Sequence, residues 1–542
     1  MTAPELILSA DYIRTLLDET TQLSTVPDDC AVLLEGSIAE GFGNDGSDID
    51  FLVVSKGSEP MPTMPTVLFV DGRRVEVRTR SEAQLRQQLD RVTSGEADED
   101  TLNRVQRFLR AHVVREGNPD IAGLRAVVPY DEFARVMQTW WSARAVQALR
   151  YSVALAAMGA DEEADGWARD GLAQAMKAWA ASLGETYLES KWLPRQLDRI
   201  GPHEVAARYR SVESGASLDD VLAAAALTGI PAVDNTPDAV RLQRVPDVTT
   251  WPIGGRLHVV RNRRDVFVLS EATGQAWRSV VFGQSVATVS TRFGIGSELA
   301  EFVRLGFVGL RWHAEPLRPA LAMCEVAGAY SPPPGTVVPT LGVGGAAQDP
   351  NAAVTLSPLA ADRFAECATT LIWSNIVLEN AREDCRGALK NSQWQVADIA
   401  AHRLIAMSTR VLLSAFGIHP LPADVAPQAA LRRLIPASTP GKAELLAKLA
   451  RAQHVRFDDP QSDRNPAELD AYAEAVREIA NGSAFPDSFA SREQWRHTLD
   501  ISYDWLRLAG YLNAKLPLDE ARDLLTSGGV QPHARSDAEG ER

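Results

Sequence analysis

Apolar and polar positions follow two rhythms along this chain, and the change from one to the other divides it. Near the N-terminus, Leu6 to Leu23 carries helical periodicity. Cys30-Ala31-Val32-Leu33-Leu34 is an unbroken apolar run of strand length, while Asp48-Ile49-Asp50-Phe51-Leu52-Val53-Val54 and Arg73-Arg74-Val75-Glu76-Val77-Arg78 alternate with the period of a strand. The Asp71-Gly72 pair ahead of the last run is a hairpin signal. Ser81, with Glu82 and Gln84 close behind, caps a helix running to Val92, and Thr101 to Val114 reads as another. Together these elements predict an α/β domain over residues 1–125.

From Asp131 the rhythm turns helical. Trp140, Trp141, Ala145, Ala148 and Leu149 recur at helical spacing, and Ala164 to Leu183 follows, giving a helical region over 130–235. A third unit, 244–312, opens with three short strands at Pro246 to Val248, Leu257 to Val260 and Val266 to Leu269. Three helices follow, at Thr273 to Val281, Val286 to Phe293 and Glu298 to Leu305. Residues 313–358 break the composition with Pro332-Pro333-Pro334-Gly335 and Gly342-Val343-Gly344-Gly345, and read as a linker or cover loop. Residues 359–526 are helical again. They read as a decayed copy of the first helical region: Trp373-Ser374 parallels Trp141-Ser142, Arg382 parallels Arg150, and Phe416-Gly417, Leu421 and Pro427 parallel Leu183-Gly184, Leu188 and Pro194. Chance agreement between two amphipathic regions is the alternative. The end, 527–542, rich in Gly, Ser and charge, is expected to be a disordered tail. The fold class is therefore multidomain α+β.

The candidate chemistry lies in the stretch from Gly36-Ser37 to Ser47-Asp48-Ile49-Asp50. A small residue and a hydroxyl after a buried strand allow backbone donors to approach a polyphosphate. Asp48 and Asp50, two apart on a strand, project to one face, and two adjacent carboxylates there repel unless cations neutralise them. Oxygen ligands of this kind suit a hard divalent metal. Glu76, on the later strand, offers a third carboxylate.

Gly36-Ser37, Ser47-Asp48-Ile49-Asp50 and a carboxylate on a later strand resemble the nucleotidyltransferase superfamily of polymerase-β type, in its MNT-like branch. The resemblance implies that Asp48 and Asp50 bridge two Mg2+ ions, and that Glu76 holds one ion and orients or deprotonates the acceptor. Gly36, Ser37 and Ser47 would contact the nucleotide, and Lys191, in Glu189-Ser190-Lys191-Trp192, its phosphates. The implied reaction is attack on the α-phosphorus of a nucleoside triphosphate, ATP by expectation, with release of pyrophosphate. The helices at 130–235 would then take part in substrate binding. Where the first helical region has Lys191 the second has Asp424, which suits a scaffold or acceptor-binding lobe better than a second active site.

The line Leu269-Ser270-Glu271-Ala272-Thr273-Gly274-Gln275-Ala276-Trp277, with Phe282-Gly283-Gln284-Ser285 and Phe302-Val303-Arg304-Leu305-Gly306-Phe307-Val308, resembles the PqqD-like winged-helix fold. That family recognises leader peptides of ribosomally made, modified peptides (RiPP biosynthesis). The resemblance implies a peptide-binding groove along Val266 and Val268, facing the helix of Phe302, filled by β-augmentation.

Composition narrows the partners. The formal charge of −16 over 542 residues disfavours broad binding to nucleic acid or to an anionic membrane. Cys30, Cys324, Cys367 and Cys385 lack the spacing of a zinc site or a disulfide framework, and read as reduced core residues. An acidic N-terminus and the lack of a membrane-length apolar run predict a cytoplasmic location. His402, His419 and His454 show no metal spacing. Three readings follow. The first is a nucleotidyltransferase acting on a precursor peptide delivered by its leader. The second keeps the chemistry with a small-molecule acceptor, as in aminoglycoside resistance. The third is a peptide-binding scaffold without catalysis.

Overall fold

The computed structural model describes residues 7–312 and 361–480, apart from 25, 60, 62–64, 213–215, 237, 254, 262–264, 281–283, 436 and 458–464, and describes residue 510. The expected linker at 313–358 and tail at 527–542 lie outside the described residues, as does Cys324.

Helix α1 (Ala10–Leu23) begins at the Ser9 side-chain cap and leads to strand β1 (Ala31–Glu35), the single turn α2 (Gly36–Ala39) and strand β2 (Ile49–Ser55). Strands β3 (Thr66–Val70) and β4 (Arg73–Ser81) form the expected hairpin, with Asp71 and Gly72 both at positive φ as the tight turn requires. Ser81 caps α3 (Glu82–Thr93) through a reciprocal box with Gln84, and α4 (Glu99–Arg110) follows. The second expected helix stops short of Val114. Ala111 turns to extended backbone, and His112–Arg115 becomes β5, pairing antiparallel with β1. The β-branched pair Val113-Val114 gains a ladder there that a helix end does not offer.

The sheet runs β3-β4-β2-β1-β5, with β2 and β4 parallel and the other neighbours antiparallel. Alternation sorts its residues. Val32, Leu34, Phe51, Val53, Val75 and Val77 face α1. Leu33, Leu52 and Val54 face α3 and α4, where they meet Leu85, Leu102 and Phe108. Glu35, Asp50 and Glu76 share the parity of that second face, and the register sets Asp50 between Glu35 and Glu76.

A helical region follows: α5 (Ile121–Ala126), the long pair α6 (Tyr130–Ala157) and α7 (Asp161–Ser182), then α8 (Leu193–Ile200), α9 (Glu204–Val212) and α10 (Leu218–Ala226). Its core is continuous with the α3–α4 face of the sheet. Next come β6 (Val240–Arg244), β7 (Val248–Ile253), β8 (Arg256–Arg261) and β9 (Asp265–Val268), then α11 (Glu271–Ser279), α12 (Val286–Phe293), α13 (Gly296–Arg304) and β10 (Val308–Trp312). β7, β8 and β9 form a three-stranded sheet, and β6 pairs with β10. β6 starts before residue 244, and neither strand of that ribbon was foreseen: each is a short run whose partner lies some sixty residues away.

The second helical region comprises α14 (Ala361–Lys390), α15 (Trp394–Ala415), α16 (Pro427–Leu434), α17 (Lys442–His454) and α18 (Ala467–Ile479). Its core includes Phe42, Tyr187 and Trp192 from the earlier units. Cys30, Cys367 and Cys385 are buried free thiols. Among the described residues, no helix is long and apolar enough to cross a membrane.

Candidate active site

Glycine is required where β1 ends. Gly36 has φ +80°, and a Cβ there would collide with Asp50 Oδ2 and stand 3.0 Å from Arg107 Nη2. The turn after it folds back on Ser37, whose carbonyl accepts the N–H groups of Phe42 and Gly43, each at 3.0 Å. A Cβ at Gly43 would lie 3.2 Å from both Ser37 Oγ and Ser47 Oγ, so the loop gathers these two hydroxyls at one place. Ser47 Oγ accepts from the Asn44 N–H at 2.9 Å, and Asn44 Oδ1 accepts from the Gly46 N–H at 2.9 Å.

Asp48 stands just before β2, and Asp50 and Glu76 lie side by side on parallel strands. Each carboxylate is paired with an arginine. Arg74 contacts Asp48 directly and lies 3.6 Å from Glu76. Arg107, from α4, holds Asp50 at 2.8 Å and Glu35 at 3.4 Å. Arg78 spans Glu76 at 3.3 Å and Glu35 at 3.5 Å. Burial pushes Asp48 up to about 7; Arg74 opposes this, and Asp50 and Glu76 add to it. Burial also raises Glu35, against Arg107 and Arg78. Burial disfavours the Arg107 charge, but Asp50 and Glu35 outweigh it and hold that guanidinium well above its ordinary range.

In donor type, Asp48, Asp50 and Glu76 suit a hard divalent cation. In arrangement they do not form a cage. No group of three or more His, Cys, Asp or Glu side chains among the described residues is placed to hold a metal ion, and the Arg74 guanidinium lies between Asp48 and Glu76. A cation shared by those two requires Arg74 to move toward its other partners, Asn380 Oδ1 at 2.9 Å and Glu383 at 3.7 Å.

Lys191 comes to the same neighbourhood from the turn at Ser190–Trp192, but as an ion-pair partner. Its Nζ is 2.7 Å from Asp384 on α14 and 3.5 Å from Glu189, and lies 5.4 Å from the centre of the Trp192 ring. Burial disfavours its charge, but Asp384 and Glu189 raise it above the usual lysine range. The segment before it is fixed by Lys177, whose Nζ donates to Tyr187 O at 2.9 Å, Glu189 O at 2.8 Å and Gln196 Oε1 at 2.6 Å. Three acceptors match the three protons of an ammonium group. Burial nevertheless pushes Lys177 down to about 7, with Glu189 and Glu185 opposing.

Phe42 joins the Gly36–Ser47 loop to what covers it. Its ring stacks on Trp192 at 6.0 Å, and Arg199 lies over it at 4.0 Å. Gln393, at the start of α15, donates to Phe42 O at 3.1 Å and accepts from Asn44 Nδ2 at 2.9 Å.

The structure thus brings Gly36, Ser37, Ser47, Asp48, Asp50, Glu76 and Lys191 into one region. Sequence reasoning missed Glu35, Arg74, Arg78, Arg107, Asn380, Glu383, Asp384 and Gln393. For Arg74 and Arg78 the signal was present, since alternation sets both on the face of Glu76. The expected peptide residues lie elsewhere. Val266 and Val268 are on β9, which among the described residues pairs only with β8. Phe302 is a correction: it is fully buried, edge-on to Trp277 at 5.2 Å, and supports the unit from inside instead of facing a groove.

Residues 13–103 match the family model described as "Nucleotidyltransferase domain". No curated protein gives a significant match to the chain. The matched segment spans α1 through the start of α4 and contains every carboxylate of the cluster supplied by β1, β2 and β4. The protein is an enzyme of the transferase class, built on a nucleotidyltransferase domain.

Proposed function

We propose that the protein transfers a nucleoside monophosphate, AMP in the first instance, from a nucleoside triphosphate to an acceptor, in a Mg2+-dependent reaction. One observation carries this: Asp48, Asp50 and Glu76 lie together on the parallel strands β2 and β4 and the residue just before β2, next to a glycine whose positive φ and closeness to Asp50 exclude a side chain. Nucleotidyltransferases of this family use a nucleoside triphosphate and a divalent metal; once Arg74 moves off Asp48 toward Asn380 and Glu383, the metal would be held by these carboxylates and would neutralise charge on the entering and leaving oxygens. The backbone of Gly36 and Ser37, with the Ser37 and Ser47 hydroxyls, binds the outer phosphates. Glu76 orients the acceptor oxygen, which bonds to the α-phosphorus as the bond to the β-phosphate's bridging oxygen breaks and pyrophosphate leaves. Arg107 holds Asp50 in place through its ion pair at 2.8 Å.

For the acceptor we propose a peptide in a RiPP pathway, recognised through its leader by the 240–312 unit. Support comes from the short sheet β7-β8-β9 with β9 at its margin among the described residues, and from the helices that follow it. A second reading has an observation of its own: α14 lies over the carboxylates through Asn380 and Glu383, an enclosure that favours a small-molecule acceptor. The test is nucleotide consumption with each acceptor class. The peptide reading expects a leader-bearing precursor to bind the full chain and to stimulate pyrophosphate release, with Asp48→Asn abolishing release but not binding. Stimulation by a small hydroxylated acceptor, with no peptide binding, transfers the assignment to the second reading.

A further inference from the structure

We propose that α14–α18 is a second copy of the α6–α10 lobe, packed on it about an approximate two-fold axis, and that it stands where a second chain stands in a homodimer. Through it the molecule completes its single catalytic cleft in cis. The first ground is local geometry at one constant offset, the step from Gly184 to Gly417. Both glycines end the second long helix at positive φ, 89° and 73°. The residue after each donates back across the turn, Glu185 N–H to Ala180 O at 2.9 Å and Ile418 N–H to Leu413 O at 3.1 Å. The same step takes Gly159 to Ser392, both at positive φ between the two long helices, and the hydrogen bond from Ala160 to Leu155 onto that from Gln393 to Ala388. It takes Pro194, in the first turn of α8, to Pro427, in the first turn of α16. Burial fixes the register in the first long helix of each lobe: Trp141 corresponds to Ser374, both buried, and Trp140 to the exposed Trp373. That is one residue away from the pairing the sequence suggested. A non-glycine residue held at φ 56°, as Ser392 is, marks a turn kept for its shape.

The second ground is reciprocity, the mark of a two-fold contact. The Ser190–Trp192 turn of the first lobe packs on α15 of the second. Its counterpart in the second lobe reaches α7 of the first, where a Cβ on Gly166 would collide with the backbone of Val425. Leu197 and Ala430, related by the same step, each line a cavity where the two lobes meet.

The third ground is what each lobe holds. Arg199 of α8 pairs with Glu40 of the first domain at 3.4 Å; at the same step Arg432 of α16 pairs instead with Glu162 of α7, and its neighbour Arg433 pairs with Glu301 of the 240–312 unit at 3.2 Å. The end of α6 buries Tyr151 and Leu155 against that unit, with Arg150 over Trp312, whereas α14 turns Asn380, Glu383 and Asp384 toward Arg74 and Lys191. The 240–312 unit therefore stands, relative to the two lobes, where a second catalytic domain would stand. Among the described residues one candidate catalytic centre remains. Ala160, the cap of α7, corresponds to Gln393, the cap of α15, and Gln393 is the residue that holds the catalytic loop at Phe42 and Asn44. Gln393 is thus a positioning residue for the Ser37–Ser47 loop, a statement that rests on the nucleotidyl-transfer reading.

Two measurements on the full chain test this. Sedimentation over a wide concentration range is expected to show a monomer, because each lobe already covers the face that the other would use; a two-fold homodimer overturns the internal pairing. Titration with Mg·ATP is expected to show Kd raised about tenfold by Gln393→Ala at unchanged melting temperature, with Gln393→Glu, which keeps the acceptor for Asn44, in between. An unchanged Kd in Gln393→Ala overturns completion in cis. If the unaltered chain binds no Mg·ATP, the nucleotidyl-transfer reading fails, and sedimentation still decides the internal pairing by itself.

Discussion

Gly36 is the residue at which sequence and chemistry meet most directly. Its positive φ and the nearness of Asp50 Oδ2 leave no room for a methyl group, so Gly36→Ala is expected to displace Asp50 and to lose at least a hundredfold in turnover, about 2.7 kcal/mol. Measuring pyrophosphate release beside the circular dichroism spectrum separates this from unfolding. Arg107 is the structural counterweight to the acids. It is 7% exposed and paired to Asp50 and Glu35, so Arg107→Met takes the guanidinium away from Asp50 and leaves Glu35 to Arg78 at 3.5 Å, and is expected to cost about 3–5 kcal/mol in denaturant unfolding. Asp48 carries a pH dependence of definite sign. Its folded pKa, about 7, lies above the 3.8 of an ordinary aspartate, so the folded state binds more protons between those values and stability falls as pH rises through them. Asp48→Asn is therefore expected to raise the melting temperature at pH values above about 7, with the gain fading toward about 4, while catalysis is lost at every pH. A variant less stable than the native chain at high pH contradicts this ionisation.

Among elements, β4 and the 185–191 segment divide the work of shaping the cleft. On β4, alternation sets Arg74, Glu76 and Arg78 on one face, so this strand carries both acid and counter-charge, and its sequence shows as much. The Asp71-Gly72 turn and the Ser81 cap were legible for the same reason, because their signals are local. β5 was misread because His112–Arg115 owes its state to β1, and β6 and β10 were missed because each depends on a distant partner. Lys191 was legible as a cation near the cleft; its partner Asp384, nearly two hundred residues away, was not. The 185–191 segment hangs on Lys177. Lys177→Met removes three donors and leaves Gln196 Oε1 and two carbonyls without them, an expected cost of about 2–4 kcal/mol in unfolding, with weaker Mg·ATP binding as Lys191 loses its anchor.

For the molecule as a whole, the nucleotidyltransferase domain is a minor part of the chain, and α14 of the second helical region reaches its carboxylate cluster through Asn380 and Glu383 on Arg74. The match over residues 13–103 identifies the transferase domain, and on the proposed reading the remaining units enclose its site and recognise the acceptor. The most direct test of the central claim follows the phosphates of Mg·ATP. The full chain is incubated with ATP labelled at the α- or the γ-phosphate, together with candidate acceptors, beside Asp50→Asn. Nucleotidyl transfer predicts that the α label enters the acceptor, that the γ label leaves as pyrophosphate, and that Asp50→Asn does neither. Transfer of the γ label to the acceptor, or α labelling that survives Asp50→Asn, would contradict it.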